Sequence, residues 1–137
     1  MRLAEALFSY LSSDPGVSSI VEDRIYPMRL PEKCQIPALS WQRIDAGRIY
    51  VYETYEDTTP VVLPRVQFNC WAYTFDEADA LGDAVLLALS GYDGDMSGQL
   101  IGSSFAINEL DTYEPATKFH RRILDFRLSY EEVLAES

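Results

Sequence analysis

His120 is the single histidine of the chain, so imidazole acid–base chemistry has one candidate and no histidine partner to share a metal. Its neighbours Lys118, Arg121 and Arg122 are cationic, and a histidine on a strand surface needs no further role. Carboxylates are abundant, but Asp76, Glu77 and Asp79 fall in the first turn of an expected helix, where the helix dipole and a cap account for them. Asp93-Gly94-Asp95 opens like a calcium loop yet lacks the third ligand position and the distal bidentate glutamate, so it reads as a solvated turn. Cys34 and Cys70 stand outside any zinc-ligand spacing. Cys70 lies in an alternating apolar pattern and reads as a small core residue, Cys34 as a loop thiol between Pro31 and Pro37. The chain has no GxSxG elbow, phosphate-binding glycine loop, HExxH pair or dinucleotide fingerprint. These residues point to no catalytic group, no cofactor and no metal; the expectation is a protein that is not an enzyme.

Aromatic side chains are the remaining resource: nine Tyr, six Phe and two Trp. Half-exposed Tyr, Trp and Arg are the usual anchors of protein interfaces. Tyr50, Tyr52 and Tyr55 cluster in one acidic stretch, while Arg65, Trp71 and Tyr73 share the polar face of one strand. These six are the candidate interface residues. The alternative is that another helix or strand covers that face.

The elements that must position them can be read from periodicity. Leu3, Leu7, Tyr10 and Leu11 form a helical stripe, stopped by Asp14-Pro15-Gly16, and Val17 to Val21 allow one further turn. Arg24-Ile25-Tyr26-Pro27 reads as a short extended piece, residues 28–37 as loop, and Ala38 to Ile44 as strand. Residues 45–63 allow two readings: Ile49, Tyr50, Val51 and Tyr52 could extend a hairpin, whereas Glu53 to Pro60, acidic, polar and closed by proline, reads as a long loop. Arg65 to Tyr73 is the clearest strand, with Val66, Phe68, Cys70 and Ala72 on one face and Arg65, Gln67, Asn69, Trp71 and Tyr73 on the other. Thr74-Phe75-Asp76-Glu77 is a capping box. It opens a helix to about Ser90 that buries Ala78, Leu81, Val85, Ala88 and Leu89, with Gly91 as its left-handed cap. Ser104 to Tyr113 and Phe119 to Tyr130 flank a turn near Glu114-Pro115 and predict a long antiparallel hairpin. The expected fold is α+β: a mostly antiparallel sheet of about four to five strands carrying an N-terminal helix and a second long helix over about 75–90.

Size and charge bound the function. A chain of 137 residues is expected to form one domain spanning 1–137, and no apolar run approaches the roughly 20 residues that span a bilayer. Its start lacks a signal peptide's pattern, so a soluble, unexported protein is expected. Eleven basic against 22 acidic residues give a net charge of −11. Because nucleic-acid affinity rests on Lys and Arg neutralising phosphates, this balance disfavours gripping DNA or an anionic membrane, whereas an acidic wall repels DNA that slides past it.

The order of pieces resembles a known family. An N-terminal amphipathic helix, Arg24-Ile25-Tyr26-Pro27, a proline-bracketed loop, and Pro37-Ala38-Leu39 leading to Gln42-Arg43-Ile44 make one half of the pattern. Arg65-Val66-Gln67-Phe68-Asn69-Cys70-Trp71-Ala72 followed by an acidic, Ala-rich helix makes the other, completed by Glu114 and the stretch Phe126 to Tyr130. Over nearly the whole chain this is similar to the tail-completion or tail-terminator proteins of long-tailed phages and phage-like particles. The resemblance implies a structural virion protein of the tail, made in the host cytoplasm, without catalytic residues or cofactor. It would form a homo-oligomer, a hexameric ring, on the head-proximal end of the tail tube. There it would stop polymerisation of the tail tube protein, dock to the head connector or stopper protein, and let DNA pass its lumen without specific binding, with no membrane involved. It also implies a loop at roughly Asp45 to Leu63 that orders against its partner. Competing readings are a head-closure or connector ring component, an acidic DNA-mimicking inhibitor, and a small-ligand-binding α+β domain.

Overall fold

The computed structural model describes residues 2–52, 58–96 and 98–131. In chain order the elements are α1 (Arg2–Ser13), α2 (Pro15–Val21), β1 (Ile25–Pro27), β2 (Ala38–Tyr52), β3 (Thr58–Ala72), α3 (Phe75–Leu89), β4 (Gly94–Met96), β5 (Gln99–Glu114) and β6 (Phe119–Glu131). The fold is α+β, as expected, and its six strands form one sheet in the order β1-β2-β3-β6-β5-β4. The short β4 is the strand that the sequence pattern did not announce. All ladders are antiparallel except β1–β2.

The helix boundaries follow the local chemistry. Asp14-Pro15 ends α1 and at once starts α2: proline fits the first helical position, and Asp14 Oδ2 accepts from the Val17 amide at 3.0 Å. Thr74 caps α3, its Oγ1 accepting from the Glu77 amide at 3.1 Å and donating to Glu77 Oε1 at 3.2 Å. Gly91 takes a left-handed φ of 70°, and its amide donates to the Ser104 carbonyl at 2.7 Å, tying the end of α3 to β5.

The core lies between the three helices and one face of the sheet. Leu3, Leu7 and Leu11 of α1, Val17 and Val21 of α2, and Leu81, Val85 and Leu89 of α3 meet Leu39, Trp41, Val66, Phe68, Cys70, Leu124, Phe126 and Leu128. Each large side chain so buried contributes about 1.5–3 kcal/mol. At the centre Phe68 and Phe126 pack edge to face with centroids 5.6 Å apart. The face of β3 that carries Val66, Phe68, Cys70 and Ala72, set by its alternation, is thus the core face.

Of the two readings of 45–63, the described residues follow the hairpin and correct the long loop. Pairing runs without interruption from Asp45↔Arg65 to Tyr52↔Thr58, so the described parts of that segment are the upper half of a β2–β3 hairpin; residues 53–57 lie outside the described residues. β-Branched and aromatic residues dominate both arms, and these suit a pleated surface. Pro60, which closes the acidic stretch, and Pro64 both sit where a strand tolerates them. Pro60 lies beyond the last β3–β6 pair among the described residues, and Pro64 falls in a gap of that ladder between Val62 and Arg65. In that gap Arg127 Nη1 donates to the Leu63 carbonyl at 2.9 Å.

Candidate functional site

With the helices on one side, the other face of the sheet carries no helix among the described residues, and its rows are built by strand register. Gln42, Gln67, Asp125 and Asn108 form one row; the next holds Asp45, Arg65, Arg127 and Phe105. Asp125 is 2% exposed and accepts from Arg65 Nη2 at 2.8 Å, Gln67 Nε2 at 3.2 Å and Asn108 Nδ2 at 3.4 Å. Burial acts to raise the Asp125 pKa, but Arg65 and the two amides outweigh it and hold the carboxyl below its ordinary value. Arg127 Nη1 reaches Asp45 Oδ1 at 3.0 Å. The network pins β2, β3, β5 and β6 together from the open side.

Toward the far end of this face lies an aromatic and cationic groove of about 300 Å3, lined by Met28, Arg29, Trp71, Glu114, Phe119 and Arg121 among others. Trp71 Nε1 donates to Ser40 Oγ at 2.9 Å, its ring stands edge-on to Phe119, and the Arg121 guanidinium lies 4.9 Å over it. Tyr73, just past β3, packs against the same Phe119 ring at 5.5 Å and remains exposed.

A second charged cluster lies on the helix side, between α3 and β5. Arg122 on β6 is buried, its side chain 6% exposed, and three half-exposed carboxylates share it. Nη2 bonds Asp79 Oδ1 at 2.6 Å, Nε bonds Asp111 Oδ1, and Nη1 faces Glu109 Oε1 at 3.6 Å. Burial would lower the Arg122 pKa, but the hydrogen-bonded carboxylates raise it well above its ordinary value. The aliphatic stem passes beneath Gly82, where a Cβ would lie only 2.8 Å from Arg122 Cγ. A glycine inside α3 is therefore explained by close approach. Asp79, accounted for in the sequence by the helix dipole, has this second task; nothing in its spacing could reveal it, because Arg122 is 43 residues away.

The other chemistry-bearing residues are placed plainly. His120 is half-buried on β6 with its ring 4.8 Å from Tyr113. Cys70 is buried, and burial pushes its thiol far up; Cys34 is partly exposed in the loop. Asp95 closes a turn by accepting from the Gly98 amide at 2.7 Å. Among the described residues no group of three or more His, Cys, Asp or Glu side chains is arranged to hold a metal, and no helix is long and apolar enough to cross a membrane.

Of the six candidate interface residues, the structure describes the side chains of Arg65, Trp71 and Tyr73. Trp71 and Tyr73 meet around Phe119; Arg65 is taken up by Asp125 further along the sheet. Tyr50 and Tyr52 belong to the upper arm of β2, paired with Pro60 and Thr58, and Tyr55 lies outside the described residues. The apolar surface missed by the sequence reading is on β5. Phe105, Ile107, Leu110 and Tyr113 are each about half exposed or more. Their near-alternating, polar-interrupted spacing resembles an ordinary hairpin strand, which hid them.

The chain is α+β, with one sheet face that carries no helix among the described residues and with exposed aromatic side chains such as Tyr73, Phe105 and Tyr113. Residues 5–131 match the model of the family described as tail completion protein gp17, and the chain belongs to that family. A chain in the virion of native gene transfer agent (GTA) particle is similar in structure, with a TM-score of 0.69, 95% of each chain covered and 19% sequence identity. At that identity the likeness concerns the fold. No curated protein matches the sequence.

Proposed function

We propose that this chain is a structural component of a phage-like virion, acting as one domain. In this reading it assembles as a hexameric ring on the head-proximal end of the tail tube, stops tube growth and joins the tail to the head connector, without catalysing a reaction. The observation that carries the reading is membership of the tail completion family over nearly the full chain. The charge supports it: six chains of −11 each surround the lumen with negative potential, so DNA passes without sticking. Trp71, Tyr73 and the groove beside them, with Tyr50 and Tyr52 of β2 and Tyr55 of the sequence that follows, are the surfaces we assign to contacts with the tube and the connector.

The same charge predicts how the ring responds to salt. Subunits of like sign repel over roughly 8–10 Å at physiological ionic strength, so assembly strengthens as salt is added. Native mass spectra across concentration and salt, alone and with purified tail tubes, test both statements. A hexamer that gains population with salt is the expected result. A chain that stays monomeric in every condition, tubes included, refutes the ring; a hexamer that weakens steadily with salt refutes the electrostatic part alone.

A further inference from the structure

Among the described residues the sheet has two edges, each covered only over a short stretch. On one side β1 pairs with Leu39 to Trp41 of β2, leaving the strand from Gln42 to Tyr52 without a described neighbour there. On the other, β4 pairs with Gln99 to Ile101 of β5, and no described strand pairs with that side of Gly102 to Glu114. A long open edge is a template for another strand, and proteins that must stay single blunt it with lysine or proline. Residues 102–114 contain neither. They carry Phe105, Ile107, Leu110 and Tyr113 instead, and from Phe105 to Asp111 every side chain is exposed, on both faces of the strand.

Strand direction says how these edges can meet. Three antiparallel ladders separate β2 from β5, so the two edge strands run in opposite directions. Copies turned about an axis along the strands therefore bring β5 of one beside β2 of the next in antiparallel pairing. Charge selects this head-to-tail arrangement over a twofold one. The open stretch of β5 holds Glu109, Asp111 and Glu114 and no basic residue; Glu109 and Asp111, with Asp79, share the single buried Arg122. Two such edges face to face would oppose like charges, which is unfavourable across a strand pair. The open stretch of β2 holds Arg43 and Arg48 against one acid, Asp45, already paired with Arg127. Arg43 is exposed and makes no ion pair with any described residue.

We infer that the open edge of β5 (102–114) of one copy pairs antiparallel with the open edge of β2 (42–52) of a second copy of this chain. A contact between two different edges repeats until rotation closes it, which yields a ring. The inference rests on the ring reading above and specifies its seam.

The test is hydrogen exchange on the wild-type chain in its monomeric and assembled states, each identified by native mass spectrometry, together with three variants. Assembly is expected to slow exchange by about tenfold or more over 42–49 and 102–114. Ile107→Lys places a charge on a half-exposed edge position, and it is expected to raise the concentration for half-assembly by about tenfold or more, the equivalent of about 1.4 kcal/mol. Arg43→Glu raises that concentration by a smaller factor. Leu87→Lys, on the exposed side of α3, leaves it unchanged; an unaltered far-UV spectrum shows that each variant folds. A ring whose two edges gain no protection, or one that Ile107→Lys joins as readily as wild type, overturns the edge pairing and leaves the ring standing. No ring in any condition overturns the ring, and the seam with it.

Discussion

The Arg122 cluster makes an asymmetric prediction about stability. The guanidinium is buried, whereas Asp79, Glu109 and Asp111 each keep nearly half of their side-chain surface in water. Removing the cation with Arg122→Met takes the costly buried charge away, keeps much of the stem volume beneath Gly82, and leaves three carboxylates that water can solvate. The loss is expected to be about 1–2 kcal/mol, the worth of the hydrogen bonds. Removing the better two anions with Asp79→Ala and Asp111→Ala leaves a buried guanidinium facing only Glu109. That is an uncompensated charge, and it costs about 3–5 kcal/mol. Urea unfolding at concentrations where the chain is monomeric measures both, with the midpoint shift taken at constant m. The reasoning is refuted if Arg122→Met is the more damaging change, or if the double carboxylate variant stays within about 1 kcal/mol of wild type, a margin near what separates surface substitutions from none.

Two further outcomes follow from single contacts. The folded pKa of Asp125 lies below its unfolded value of about 3.9, so its stabilisation is complete above that value and is lost as pH falls through the lower, folded one. Asp125→Asn is expected to be less stable at pH 7 and to lose less on going to pH 3, read by thermal unfolding across that range; an equal acid loss in both proteins contradicts the assignment. Gly82→Ala is expected to destabilise the wild type, although alanine is the better helix former by about 1 kcal/mol, because the new methyl meets the Arg122 stem. In an Arg122→Ala background the same change is expected to stabilise, and a double-mutant cycle with no coupling would show that the stem is not what excludes the side chain.

Much of the fold is legible in the sequence because it is local. The period of two in Arg65 to Tyr73, the Thr74–Glu77 cap and Gly91 each act within a few residues, and the structure realises them directly. Residues 45–63 left two readings open because proline and acidic residues carry a local signal for loop, while the ladder that tolerates Pro60 and Pro64 depends on where β6 ends and where it skips a pair. That is decided between strands distant in sequence.

The surface shows the same division. The period of two places Trp71 on the same sheet face as Arg65, and the net charge of −11 follows from composition alone. What the chain could not specify in one dimension was which polar residues would be buried together. Arg122 and Asp79, or Asp125 and Arg65, become partners only when register brings remote strands and a helix into contact. The open edges of β2 and β5 are likewise a property of strand order. A strand's own residues set its two faces, but only the assembled sheet decides which side of it lacks a neighbour.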